Sequence, residues 1–90
     1  MGTVILTMRM MPKDANVDIE SWKDQVKDVI SKYGELLSAD VEPIAFGLKA
    51  LKITFSLEDK EGLMDNVESE LKTIEGVGEL SVISMGRSLE

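Results

Sequence analysis

A chain of 90 residues has room for one domain with a modest core. Its 43% apolar content is that of a folded protein, and a net charge of −7, from 17 acids against 10 bases, disfavours direct nucleic-acid binding. With neither Cys nor His, it lacks disulfides, thiolate metal sites, the commonest metal ligand and the usual general base.

Residues 3–11, TVILTMRMM, alternate. Val4, Leu6, Met8 and Met10 fall on one side, and Thr3, Ile5, Thr7 and Arg9 on the other. This period of two predicts a strand with one dry face. Pro12 has no N–H for the ladder and ends it. Residues 18–33, DIESWKDQVKDVISKY, predict a helix, because Ile19, Trp22, Val26, Val29, Ile30 and Tyr33 make one apolar stripe. Asp18 suits its N-cap and Gly34 the C′ position.

Residues 35–46, ELLSADVEPIAF, fit a short strand at a sheet edge, since Pro43 argues against a central one. Residues 49–57 predict a half-buried strand: Leu51, Ile53, Phe55 and Leu57 alternate with Lys52, Thr54 and Ser56. Residues 60–75 predict a second helix on Leu63, Val67, Leu71 and Ile74, with Asp59 as its cap and Gly76 and Gly78 closing it. Residues 79–85, ELSVISM, predict a last short strand whose register stays open, because both faces carry apolar residues.

The order β-α-β-β-α-β predicts an α+β, ferredoxin-like fold: a four-stranded antiparallel sheet with two helices on one face. Residues 1–90 are expected to form this single domain, without repeat or linker; Gly2 and the terminal Leu89-Glu90 have the look of cloning or tag remnants. No apolar run approaches the ~20 residues of a membrane span, and no signal-peptide pattern opens the chain. The expectation is a soluble, cytoplasmic protein with no membrane partner.

Enzyme signatures are missing. Ser-His-Asp and Cys-His arrangements need residues absent here, and no Gly-rich loop links a strand to a helix to cradle phosphate. Asp40 and Glu42 make an unconvincing acid–base pair, because nothing beside them in the sequence would raise a carboxyl pKa. The acids Glu58, Asp59, Glu61, Asp65, Glu68 and Glu70 lack the spacing of a calcium loop and fit a charged helix face. No catalytic residue, metal ligand or cofactor is expected. An RNA-recognition domain shares the element order but stacks bases on aromatics of its third strand. Here that strand offers only Phe55, on the stripe expected to face the helices. Met8, Met10, Met11 and Met64 fit core filling, and Arg9 fits a solvated strand face.

The block EPIAFGLKAL at 42–51 resembles the signature of the archaeal translation elongation factor 1-beta family, whose eukaryotic counterparts carry Pro-Ile-Gly-Phe-Gly-Ile. MRMMP at 8–12, IEGVGELSV at 74–82 and the basic Arg87 extend the resemblance along nearly the whole chain. It implies guanine-nucleotide exchange on the GTPase elongation factor 1-alpha, with no covalent chemistry and no direct nucleic-acid contact. It also implies a GTPase contact made by Pro43, Ile44, Phe46 and Gly47, with Phe46 as the aromatic anchor. Arg87 aligns with a lysine that reaches the magnesium site in eukaryotic members; Arg replaces Lys here, and its planar fork is less compact than an ammonium. The alternatives, from other classes, are a ferredoxin-like ligand-sensing or dimerisation domain and, further off, a carboxylate-only enzyme.

Overall fold

Two prolines, Pro12 and Pro43, mark the ends of two strands, and the chain bends sharply after each. The computed structural model describes residues 2–45, 47–58 and 60–87. In chain order it contains β1 (Thr3–Pro12), a 3-10 turn (Ile19–Ser21), α1 (Trp22–Ser31), β2 (Gly34–Pro43), β3 (Lys49–Glu58), α2 (Leu63–Lys72) and β4 (Val77–Arg87). The strands form one sheet in the order β2-β3-β1-β4, every neighbouring pair antiparallel. This is the expected ferredoxin-like α+β fold.

The alternation in β1 and β3 does what its period dictates. Leu6, Met8 and Met10 of β1, and Leu51, Ile53, Phe55 and Leu57 of β3, are buried against Trp22, Val26 and Ile30 of α1 and Val67 and Leu71 of α2. Trp22 is fully buried, and its indole N–H donates to the Glu75 carbonyl at 3.0 Å. That bond satisfies the only polar atom of the side chain and pins α1 to the turn before β4.

Several expectations are corrected at element boundaries. The first helix begins as a 3-10 turn; Asp18 holds its N-cap position but makes no side-chain capping bond. Instead Ser21 Oγ donates to the Asp18 carbonyl at 2.7 Å. Gly34 is not a helix C′ residue but the first residue of β2, where a Cβ would sit 1.8 Å from the Ser56 carbonyl oxygen. Its conservation of space, not its backbone freedom, is what the fold uses there. The helix N-cap expected at Asp59 falls at Gly62, with φ 86°, and Asp59 lies outside the described residues. Gly76 and Gly78 lie beyond the end of α2: Gly76, at φ 91°, is in the turn, and Gly78 is already in β4.

The edge strand β2 is ten residues long rather than short, with Pro43 as its last residue. β4 runs from Val77 to Arg87, longer at both ends than the periodicity suggests. Its register to β1 shifts twice: between Ser84, opposite Thr7, and Val82, opposite Met8, which leaves Ile83 as the extra residue of a bulge, and again between Glu79, opposite Met11, and Val77, opposite Pro12, which leaves Gly78 over. A bulge breaks the period of two, which is why apolar residues fall at both odd and even positions while Leu80, Val82 and Met85 all pair with the buried face of β1. Met11 also departs from the core: it is half-buried on the face opposite Met10.

Candidate functional site

The signature block folds as the end of the β2–β3 hairpin. Pro43 pairs with Lys49, the Ile44 N–H donates to the Leu48 carbonyl at 2.9 Å, and the Leu48 N–H donates to the Ala45 carbonyl at 2.9 Å. The second bond closes a four-residue turn over 45–48 with Gly47 in its third position at φ 79°. The positive φ at Gly47 is one that Gly adopts without a Cβ penalty. Ile44 remains 39% exposed, and Pro43, Ala45 and Gly47 are exposed with it. Phe46 lies outside the described residues.

The base of the hairpin is braced from the far side of β3. Arg9 of β1 donates through Nη2 to Glu42 Oε1 at 3.1 Å, so the expectation that Arg9 is merely solvated is corrected. Next to the tip, a cleft of about 280 Å³ lies between Val41, Gly47 and Lys49 and the segment after β1. Asp14, Asp18 and Glu20 line it, which makes this corner acidic.

Arg87 is elsewhere. It pairs with Val4 at the opposite end of β1, whereas the hairpin base lies level with Pro12. At roughly 3.3 Å per residue, the two sites are about 25 Å apart along the strands, and they occupy opposite edges of the sheet. The structure therefore gathers Pro43, Ile44 and Gly47 into one corner and places Arg87 at the diagonal one.

The sheet face without helices is polar. Ser38, Thr54, Thr7 and Ser84 lie opposite one another across all four strands, and the Thr7 and Thr54 hydroxyls are 3.3 Å apart. Beside them run Asp40, Lys52, Arg9 and Ser81. Phe55 is fully buried on the other face, so this one offers no base-stacking platform among the described residues. The described residues also hold no group of three candidate acidic or His/Cys metal ligands and no helix long and apolar enough to cross a membrane.

One network shifts its own titration, and it joins the two helices far from the hairpin tip. Lys32 donates to Glu70 Oε1 at 2.7 Å, and the Tyr33 hydroxyl donates to Glu70 Oε2. These two bonds hold the Glu70 carboxyl below the usual carboxylate range. The same bonds raise Lys32 and Tyr33 above their ordinary values.

Sequence reasoning missed the Arg9–Glu42 brace. Its signal was weak but present: an arginine on the polar side of a central strand, and acids on the polar side of a neighbouring edge strand.

Comparison with known proteins gives this geometry its context. Residues 5–87 match the family described as EF-1 guanine nucleotide exchange domain. Among similar curated proteins, elongation factor 1-beta of Thermoplasma acidophilum is 44% identical over 90% of this chain and 92% of its own. Those of Methanothermobacter thermautotrophicus and Aeropyrum pernix are each 39% identical over 97% of this chain and 98% of theirs.

Proposed function

Since this chain belongs to the EF-1 guanine nucleotide exchange domain family, we propose that it binds elongation factor 1-alpha and accelerates the release of GDP from it. It is an elongation factor 1 component, akin to the archaeal 1-beta proteins. The observation that carries the finer reading is the family match over residues 5–87, which contains both the hairpin tip and Arg87. We take residues 1–90 as a single exchange domain working in the cytoplasm.

Two structural features support this reading. The tip presents Pro43, Ile44 and Gly47 on a turn closed by two backbone hydrogen bonds, so little ordering entropy is lost when a partner binds. The acidic cleft beside it suits a basic patch on the partner. In this reading Phe46 is the aromatic anchor at the same corner, and Arg87 makes a second, separate contact.

Exchange asks no covalent step of the protein. By reciprocity, a factor that weakens GDP binding binds the nucleotide-free GTPase more tightly than the GDP-bound form, by the same factor. The test is release of a fluorescent GDP analogue from elongation factor 1-alpha with and without this protein. Acceleration at stoichiometric amounts is expected; an unchanged release rate rejects the proposal.

A further inference from the structure

The end of the β2–β3 hairpin reaches beyond the rest of the sheet. The β1–β3 ladder stops at Met10 and Leu51, whereas the β2–β3 ladder continues through Glu42–Ala50 and Pro43–Lys49 to the turn. β2 is an edge strand, so residues 42–50 form a two-stranded ribbon with no further strand beside it. Such a ribbon holds its course poorly when left alone. On the helix face the cleft of about 280 Å³ separates Val41, Gly47 and Lys49 from Pro12, Asp14 and Ile19. The two backbone bonds of the turn fix its shape, not the direction in which it leaves the sheet.

On the open face one contact supplies that direction. Arg9 has Lys52 and Ser81 as its neighbours on the adjoining strands, neither of them an acid. Its side chain instead crosses β3 and donates to Glu42, two residues nearer the tip than Asp40, which lies in its own row. Ala50 pairs with Glu42 and is fully buried although no helix covers it, as a small residue beneath that crossing would be. Among the described residues, this is the one side-chain hydrogen bond or ion pair that links 42–49 to β1. It adds little net stability. The pair is about a third exposed, and Arg9 Nε is buried without a hydrogen-bond partner among the described residues. Its main effect is geometric.

We propose that Arg9 is a positioning residue for nucleotide exchange: through Glu42 it holds the ribbon at the angle at which Ile44 and the turn meet the GTPase. The proposal rests on the exchange reading above. Without the brace the ribbon swings, and only a fraction of the molecules present the tip correctly. The apparent affinity for the partner falls by that fraction. The bound complex is unaltered, since the pair acts on the tip and not on the nucleotide site, so the maximal rate of GDP release stays the same.

The test follows GDP release against the concentration of this protein, for wild type, Arg9→Ala, Glu42→Gln and the double variant, at a temperature where all are folded. Each single variant is expected to raise the half-saturating concentration about two- to fivefold, the most that an ion pair this exposed can bias a population. The maximal rate is expected to hold. The double variant is expected to match the single ones, because either change removes the same brace. Half-saturating concentrations equal to wild type overturn the proposal, as does a lowered maximal rate. A double variant whose change is the product of the two single changes also overturns it, since that marks two direct contacts with the partner. A wild type that does not accelerate release rejects the exchange reading and this proposal together; normal acceleration with unaffected variants rejects this proposal alone. Amide relaxation of the free proteins gives a reading that global stability does not move. Arg9→Ala is expected to loosen Ile44, Ala45 and Leu48 and to leave Thr7 and Thr54 as they were. An unchanged tip overturns the proposal, and Glu42→Gln breaks the same pair should Arg9→Ala unfold.

Discussion

Arg9 of β1 and Glu42 of β2 are joined at 3.1 Å although β3 lies between their strands. Ala50 of β3, which pairs with Glu42, is fully buried on a face that carries no helix. Glu42 is the residue before Pro43, so the ion pair ties the base of the hairpin to the centre of the sheet. Both side chains remain about a third exposed, 35% and 36%, which limits the strength of the pair. Arg9→Ala is expected to lower stability by no more than about 1 kcal/mol, with a difference that shrinks in high salt. Urea unfolding of both proteins at two ionic strengths measures it; a loss of several kcal/mol would mean that Arg9 supports the fold in some other way.

Ile44 and Arg87 sit at diagonal corners of the sheet, about 25 Å apart along the strands. Ile44→Ala and Arg87→Ala are each expected to weaken the acceleration of GDP release about tenfold, or ~1.4 kcal/mol. The double variant is expected to lose the sum of the two, within about 0.5 kcal/mol. Phe46→Ala is expected to weaken exchange with an unchanged melting temperature, whereas a variant that unfolds would assign Phe46 to the core. Strong non-additivity between Ile44 and Arg87 would show that the two corners do not act as separate contacts.

Glu70 makes the stability of the helix layer depend on pH. Its carboxyl is held down by Lys32 first and Tyr33 second, so the ionised form is the one the folded state favours. A lowered carboxyl pKa contributes stability above its unfolded value, and that contribution disappears as pH falls through the folded value. Lys32 and Tyr33 are raised, so their share is present at neutral pH and fades as pH climbs through their folded values in the alkaline range. Thermal unfolding of Glu70→Gln and wild type should therefore differ most near neutral pH and converge in acid. A gap that stays constant down to strong acid contradicts the assignment.

Gly34 offers a test of the close approach between β2 and β3. A Cβ there meets the Ser56 carbonyl oxygen at 1.8 Å, and backbone cannot swing aside as a side chain can. Gly34→Ala is expected to cost about 2–3 kcal/mol by denaturant midpoint, the scale of an overpacked site. An alanine tolerated at wild-type stability would show that β2 slides off β3 at little cost.

Much of this fold could be read from the order of residues because two periods dominate it. Leu6, Met8 and Met10, and Leu51, Ile53 and Phe55, recur every second residue, and Trp22, Val26 and Ile30 recur at helical spacing; all are buried. Legibility failed where a local rule met a tertiary contact. Gly34 follows a helix, as a C′ glycine would, but the space beside Ser56 is what requires it. Ile83 breaks the alternation of β4 because a bulge consumes one residue, and no propensity announces a bulge. At the candidate site the Pro43 and Gly47 corner was legible, since turn chemistry is local. The partnership of Arg9 with Glu42 was not, because it depends on which strand lies beside which. The separation of Arg87 from the hairpin is equally a matter of topology.

The strand order also governs how the molecule comes into being. The central pair, β1 with β3, joins Thr7 to Thr54 across 47 residues of chain, whereas β2 and β3 are joined by residues 44–48 alone. Closing the short loop costs far less entropy, so the hairpin is expected to assemble before the centre of the sheet. In refolding experiments Val41→Ala, on the hairpin, is expected to slow folding more than Leu80→Ala on β4, and the reverse ranking would refute the order. The corner that carries the signature block is thus expected to take its shape before the centre of the sheet, so the central strands close onto a surface already made.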